Sequence, residues 1–193
     1  MAIYEQRLQE DLSQIRGEIH AMGDMAEALL TTAVHALLTE NGELANQAIL
    51  ADHPINRKMR EIDKTCHGFI ARHLPSAGHL RLISSIIRLN IELERIGDYA
   101  VTISREALQL EKPLEGLIAH EVETIANEAK RMLHQALTAF YDESAYMAKA
   151  TMQMSGNMES TLDGLYASLM SGELTRSIHD TFVIFAVLTQ LKR

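Results

Sequence analysis

The chain has 193 residues, of which 47% are hydrophobic and 5% aromatic, and its 26 acidic and 18 basic side chains give a net charge of −8. This length and apolar content suffice for one domain or two small ones, whereas the acidic balance argues against nucleic acid and favours cations or basic protein surfaces as partners. The single cysteine, Cys66, excludes a disulfide framework, and without a signal region or a membrane-length apolar run we expect a cytoplasmic protein.

Apolar residues recur at helical spacing along almost the whole chain, and few residues interrupt the pattern. The interruptions predict six helices, at roughly 3–39, 43–73, 78–110, 114–140, 143–169 and 173–191. Pro54 should start or kink the second helix just after Asp52. Short connections between long helices make sequential neighbours antiparallel. The predicted fold class is therefore all-α.

The first connection between helices recurs later in the chain. Residues 36–45 align with residues 139–148, and both segments have the same pattern of core residues, a break and core residues again. This repeat predicts two tandem three-helix bundles. The first covers residues 1–111, and the second covers residues 112–193 and is diverged and shortened at its C-terminal end.

Four polar side chains are placed symmetrically about the turn at Pro75. Asp52 and Asn56 precede the turn, and Glu94 and Asp98 follow it at matching distances. If the flanking segments are antiparallel helices, the four side chains meet at one level on facing surfaces. A carboxylate cluster of this kind needs a cation.

The acids of this group have few basic neighbours on their own helices. Asp52 and Glu94 have no Lys or Arg three or four residues away, and Asp98 has only Arg95. Two carboxylates about 6 Å apart in a partly buried groove repel each other by roughly 3 kcal/mol at an effective dielectric constant near 20. The sequence thus favours a bound cation, although an acidic groove closed by Arg95 and water is the alternative.

An oxygen-only site selects a hard ion such as Mg²⁺, Mn²⁺, Ca²⁺ or Fe. The turn at residues 41–42 brings two more acids of the first helix to the same level. The predicted metal ligands are Glu94, Asp98, Asp52, Asn56, Glu27 and Asp24.

Motifs for catalysis are missing from the sequence. There is no Glu-x-x-His of di-iron bundles, no His-Glu-x-x-His, no P-loop and no Gly-x-Gly-x-x-Gly. A metal-dependent hydrolase of phosphate esters remains an alternative, but apart from Arg95 no basic residue is placed to hold phosphate beside the acids. We therefore do not expect an enzyme.

One motif carries a resemblance to a known family. The sequence Leu93-Glu94-Arg95-Ile96-Gly97-Asp98-Tyr99-Ala100, preceded by residues 71–75 and 80–83, resembles the PhoU family of phosphate-signalling regulators. Further matching stretches follow the family's order at residues 21–25, 42–45, 52–56 and 62–66. The resemblance covers nearly all of the first repeat and is loose over the second.

The resemblance implies a pair of similar three-helix bundles without catalytic activity. Family members bind polynuclear metal clusters through Glu/Asp-x-x-x-Asp motifs and contact a sensor histidine kinase and the ATPase of the phosphate ABC transporter. By resemblance the protein regulates phosphate uptake and the phosphate-starvation response. We expect a homodimer that is peripheral to the membrane only through its partners. The motif falls on Glu94 with Asp98, Asp52 with Asn56, and Glu159 with Asp163.

The second repeat differs from the first in its charges. Lys130 and Lys192 take the places of two acids of the first repeat, while Glu159 and Asp163 remain acidic. An ammonium beside a carboxylate pair offsets its repulsion, so we expect a metal-free ion-pair network here and metal at the first repeat only. A metal-free helical scaffold that dimerises through the second bundle is the remaining alternative.

Overall fold

The computed structural model describes residues 2–171 and 176–193, and all regular secondary structure within these residues is α-helical. The predicted fold class is confirmed. The helices are α1 (Ala2–Thr39), α2 (Gly42–Leu50), α3 (Asp52–His73), α4 (Ala77–Ala107), α5 (Gly116–Tyr141), α6 (Ala145–Met170) and α7 (Ile178–Lys192).

The second predicted helix is divided into α2 and α3. α2 ends at Ala51, whose N–H donates to the Gln47 carbonyl at 3.0 Å, and α3 begins at Asp52. Pro54 lies in the first turn of α3, where a missing N–H costs no helical hydrogen bond. The prediction that Pro54 starts a helix is confirmed.

The helix ends elsewhere follow local capping. α7 begins one turn later than predicted because the Ser177 side chain accepts a hydrogen bond from the Asp180 N–H at 3.1 Å. The predicted start of that helix, at residues 173–175, lies outside the described residues. The segment between α4 and α5 is longer than predicted, and α5 begins at Gly116, whose φ of 58° suits glycine.

The two aligned connections have the same backbone conformation. Glu40 and Glu143 have φ values of 52° and 50°. The next residues, Asn41 and Ser144, cap α2 and α6 by accepting backbone N–H groups at 3.0 and 3.3 Å. Each capping residue also donates its own N–H to the carbonyl of an alanine five residues earlier. The structure therefore reproduces the repeat where the sequence alignment is strongest.

The chain divides into two compact units, and unit 1 comprises Met1–Ala26 and Asp52–Gly97. Its helices α1, α3 and α4 bury an apolar core that includes Ile15, Ile19, Ile62, Phe69, Ile83 and Leu93. Complete burial of each such side chain contributes about 1.5–3 kcal/mol. The core side chains recur every three or four residues, as expected from the sequence.

Unit 2 comprises Glu27–Ala51 and Asp98–Arg193. Here α5, α6 and α7 pack on one another, and the rings of Tyr166 and Phe185 stack with centroids 4.9 Å apart. Because α1 and α4 contribute residues to both units, the two units do not coincide with the two copies of the predicted repeat. The repeat boundaries at 1–111 and 112–193 stay a prediction. No helix in the described part of the chain is both long enough and apolar enough to cross a membrane.

Candidate functional site

The α3–α4 hairpin has the register that its sequence predicts. The Asn90 amide donates to the Met59 carbonyl at 2.9 Å, and a Cβ added at Gly97 would lie 3.3 Å from the Ile55 side chain. Both contacts join residues nearly equidistant from Pro75. The glycine permits this close approach between α4 and α3 at positions that lie next to Asp98 on α4 and Asn56 on α3.

Asp52 and Asn56 lie one turn apart at the start of α3. The Asn56 Nδ2 donates to Asp52 Oδ2 at 2.7 Å, whereas Asp52 Oδ1 is buried and has no hydrogen-bond partner. A buried acceptor without a partner costs about 1–3 kcal/mol, and a cation or a water molecule would satisfy it. The oxygen donors of this pair suit a hard ion.

The predicted ligands on α4 each take part in polar interactions. Glu94 is half-buried and belongs to unit 1, whereas Asp98 is exposed and belongs to unit 2. Arg95 pairs with Glu92 at 2.9 Å, so this guanidinium has a partner on the exposed side of the helix. The alternative in which Arg95 closes the acidic groove has no support from this pairing.

The two predicted ligands on α1 both contact histidines. Asp24 lies 3.2 Å from His20 Nδ1 in unit 1. Glu27 lies 3.2 and 3.3 Å from His134 Nδ1 of α5 in unit 2. These contacts occupy both acids with imidazole rings.

Among residues 2–171 and 176–193, no three His, Cys, Asp or Glu side chains lie close enough together to hold a metal ion. The structure therefore does not bring the six predicted ligands together in one group, and metal binding stays a prediction. Its best-formed part is the pair Asp52 and Asn56 described above.

The expected ion-pair network of the second repeat is not formed. Glu159 and Asp163 are exposed on α6, and no ion pair within 4.0 Å joins either of them to Lys130, although the structure describes all three. The prediction was wrong because exposed carboxylates are hydrated and screened, so they need no ammonium beside them.

Two polar clusters were missed by the sequence reasoning. In unit 1, His73 Nε2 lies 2.8 Å from Asp11 Oδ2, and Arg72 donates to the same oxygen. The hydrogen bond from His73, helped by the charge of Arg72 and opposed by burial, lowers the pKa of Asp11. More than 60 residues separate the partners, so no local spacing could reveal this cluster.

The second cluster lies in unit 2. Asp180 is fully buried and accepts the Glu111 N–H at 2.9 Å, and Arg176 lies 3.3 Å from it while donating to the carbonyls of Lys112 and Pro113. These bonds fasten the segment between α4 and α5 to the start of α7. Here a signal existed, because Arg176 and Asp180 have opposite charges and are four residues apart in the sequence.

A groove of about 810 Å³ lies between α1 and α3 in unit 1. Its lining includes acids such as Asp11 and Glu18 and bases such as Lys64 and Arg72. Since both signs of charge line it, the groove selects neither anions nor cations.

Comparison with known proteins identifies the family. The PhoU domain matches residues 19–107. The phosphate-specific transport system accessory protein PhoU homolog of Pseudomonas putida is 35% identical over 185 residues, which are 95% of this chain and 71% of the relative. The chain belongs to the PhoU family. The PhoU protein of Escherichia coli strain K12 is 31% identical over 94% of this chain and 73% of its own length.

Solved structures of PhoU proteins have the same fold. The crystal structure of PhoU from Pseudomonas aeruginosa matches with a TM-score of 0.90 and 32% identity, covering 95% of this chain and 90% of that one. A PhoU protein from Streptococcus pneumoniae shares the fold at a TM-score of 0.86, with coverage of 98% and 88%. The relatives are named as accessory proteins, so the expectation that a PhoU-family chain of this kind is not an enzyme is confirmed.

Proposed function

We propose that this chain regulates phosphate uptake and the phosphate-starvation response as an accessory protein of a phosphate-specific transporter, acting in the cytoplasm by protein contact. The observation that carries the proposal is the extent of the similarity. Relatives named as phosphate-specific transport system accessory proteins match 94–95% of this chain at 31–35% identity. The partners proposed are the ATPase subunit of the transporter and a sensor histidine kinase.

A deletion strain tests this function. Without the protein, phosphate-scavenging genes should be expressed even in high phosphate, and a plasmid copy should restore repression. Unchanged expression in the deletion strain would contradict the proposal.

Binding to the two partners is tested separately with purified proteins. The full chain should bind the transporter ATPase subunit and the cytoplasmic part of the kinase in calorimetry, without hydrolysing a phosphate ester itself. The acidic chain favours basic surfaces on these partners, so the affinities should fall as salt is raised. Binding of neither protein at low salt would exclude direct contact as the mechanism.

We further propose that Asp52, Asn56 and Glu94 of unit 1 hold a hard metal ion such as Mg²⁺, Mn²⁺, Ca²⁺ or Fe. Two observations support this proposal. The buried Asp52 Oδ1 has no hydrogen-bond partner, and the contacts of Asn90 with Met59 and of Gly97 with Ile55 agree with a register in which Asn56 and Glu94 lie at the same level. The bound ion would neutralise carboxylates that otherwise repel one another. The melting-temperature measurement described next, applied to alanine variants of Asp98, Glu27 and Asp24, decides whether these three acids also bind the ion.

Metal binding should raise the melting temperature of the wild-type protein. Asp52→Ala combined with Glu94→Ala should abolish the increase, because the variant loses two anionic oxygen donors. The matched control is Glu159→Ala combined with Asp163→Ala, which removes two exposed acids of α6. An equal metal-induced increase in both double variants would contradict the site.

A homodimer is the other part of the proposal, and an exposed apolar face of α7 supports it. Ile178 and Phe182, one turn apart, are 78% and 70% exposed. Large apolar side chains at adjacent turns are typical of a contact surface. Sedimentation analysis should show a dimer that Phe182→Ser weakens. A wild-type monomer at micromolar concentration would contradict it, and a dimer that binds no metal would favour the scaffold alternative.

A further inference from the structure

The α3–α4 end of unit 1 is basic in an otherwise acidic chain. Residues 64–91 contain no Asp or Glu, which makes them the longest acid-free stretch of the sequence. They include Lys64, Arg72, Arg81 and Arg88, and the side chains of all four are exposed. This stretch covers the end of α3, the turn and the first part of α4.

Four exposed apolar side chains lie at the same end. Leu74 is 86% exposed, Ile3 71%, Tyr4 49% and Leu80 41%. The Tyr4 hydroxyl donates to the His73 carbonyl at 2.6 Å, which places the start of α1 beside the turn that joins α3 to α4. We call these four residues the apolar tip.

The backbone at Leu74 is strained. Its φ is 42°, in the left-handed region that costs an L-residue with a Cβ roughly 1–2 kcal/mol. Glycine or asparagine is usual at this position after a helix, and the following Pro75 favours an extended conformation. Burial does not compensate, because the side chain is almost fully exposed. Strain combined with an exposed apolar side chain is typical of a binding surface.

We propose that the apolar tip of unit 1 inserts into the interface of an anionic lipid bilayer, while the basic side chains around it contact the lipid phosphates. α1 contributes Arg7 to this end together with Glu5, Glu10 and Asp11, and Asp11 pairs with Arg72. The basic excess therefore comes from Arg81 and Arg88 of α4. Within the described residues, neither Arg7 nor Arg81 has an acidic partner within 4.0 Å. Both are therefore free to meet an external anion.

The shape of the tip favours a lipid surface over a peptide. Its side chains project from a turn and from helix starts, and none of them lines the groove of unit 1. Aliphatic side chains with a tyrosine and flanking arginines are the usual composition of segments that enter the headgroup region. Such contact places the chain on the membrane directly and not only through its partners.

Vesicle flotation of the full chain tests the proposal. The protein should float with vesicles of phosphatidylcholine containing about a third of phosphatidylglycerol, not with phosphatidylcholine alone, and high salt should release it. Arg81→Glu should weaken binding roughly 25-fold, because each unit of charge near an anionic bilayer changes partitioning about fivefold. Leu74→Gly should weaken it about threefold or more.

The controls separate lipid contact from misfolding and from net charge. Leu74→Gly relieves the strained φ, so its melting temperature should not fall. Arg57→Glu makes the same charge change at an exposed position near the other end of α3 and should leave binding within about twofold. Absence of wild-type binding to anionic vesicles, or equal losses in both charge variants, would overturn the proposal. If Arg81→Glu instead weakens only the capture of an acidic protein, the tip is a protein interface and the lipid proposal is wrong.

Discussion

At the scale of single residues, the buried His73 depends on one carboxylate. Its side chain is only 3% exposed, its Nε2 contacts Asp11, and its buried Nδ1 has no hydrogen-bond partner. Arg72 contacts the same carboxylate from the exposed side. Asp11 therefore satisfies a buried ring and an exposed guanidinium together, and its loss would leave the ring with no polar partner.

Asp11→Asn should destabilise the protein by about 1–3 kcal/mol at neutral pH. The pKa of Asp11 is lowered in the folded state, so its stabilisation is present above the unfolded value, near 3.8, and is lost as the pH falls through the folded value. Urea denaturation at several pH values should show the difference between wild type and variant shrinking below about pH 4. Glu10→Gln, at an exposed acid of the same helix, is the control and should cost less than about 0.5 kcal/mol.

Cys66 should be chemically inert in the folded protein. Burial, followed by the charges of Asp63 and Glu18, raises the pKa of its thiol to about 11, so almost no thiolate exists near pH 8. A thiol reagent should modify it slowly in buffer and rapidly in denaturant. The associated stabilisation is present below the unfolded pKa of 9.0 and is lost as the pH rises towards 11. Rapid modification without denaturant would show that the core around Cys66 opens.

At the scale of elements, the start of α7 holds the segment that leads from α4 to α5. Asp180 is fully buried, and Arg176 has a side-chain exposure of 9%. The arginine bonds two carbonyls of the segment, and the aspartate bonds one of its N–H groups. This irregular segment thus finds its hydrogen-bond partners in a helix start some 65 residues further along.

Asp180→Asn should cost about 3–5 kcal/mol, because it leaves a buried guanidinium without its counter-charge. Arg176→Lys should also destabilise the protein, since an ammonium cannot reproduce the planar fork that reaches both carbonyls. Denaturation and amide exchange at Glu111 measure both effects. Arg131→Gln breaks an exposed ion pair and should cost at most about 1 kcal/mol. Equal costs for Asp180→Asn and Arg131→Gln would show that the buried pair is not needed.

At the scale of the whole molecule, two helices are shared between the units. α1 and α4 each supply residues to both unit 1 and unit 2. Unfolding one unit therefore frays helices that the other unit needs, and the two should unfold together.

Ile62→Ala, at a fully buried position of unit 1, should lower the unfolding free energy by about 2–5 kcal/mol. The transition should remain single. Accessibility of Cys66 to a thiol reagent reports on the unfolding of unit 1. Tyrosine fluorescence reports in part on the unfolding of unit 2, because Tyr166 stacks on Phe185 in that unit. Two separated midpoints would show that the shared helices do not couple the units.

The sequence by itself determined the helices, the repeat connection and the hairpin register. Helical spacing and capping act over three to five residues, and the register follows from one short turn at Pro75 between two long helices. These interactions are local, so the sequence predicts them. The PhoU resemblance rested on residues within the same local stretches.

Only the tertiary structure decided which polar side chains meet. Asp11 finds His73, Glu27 finds His134, and Lys130 does not reach Glu159. Spacing along one helix specifies a face but not the element that covers it, and burial decides whether a charge needs a partner. For this physical reason the sequence predicted the level of the acidic residues but not their partners.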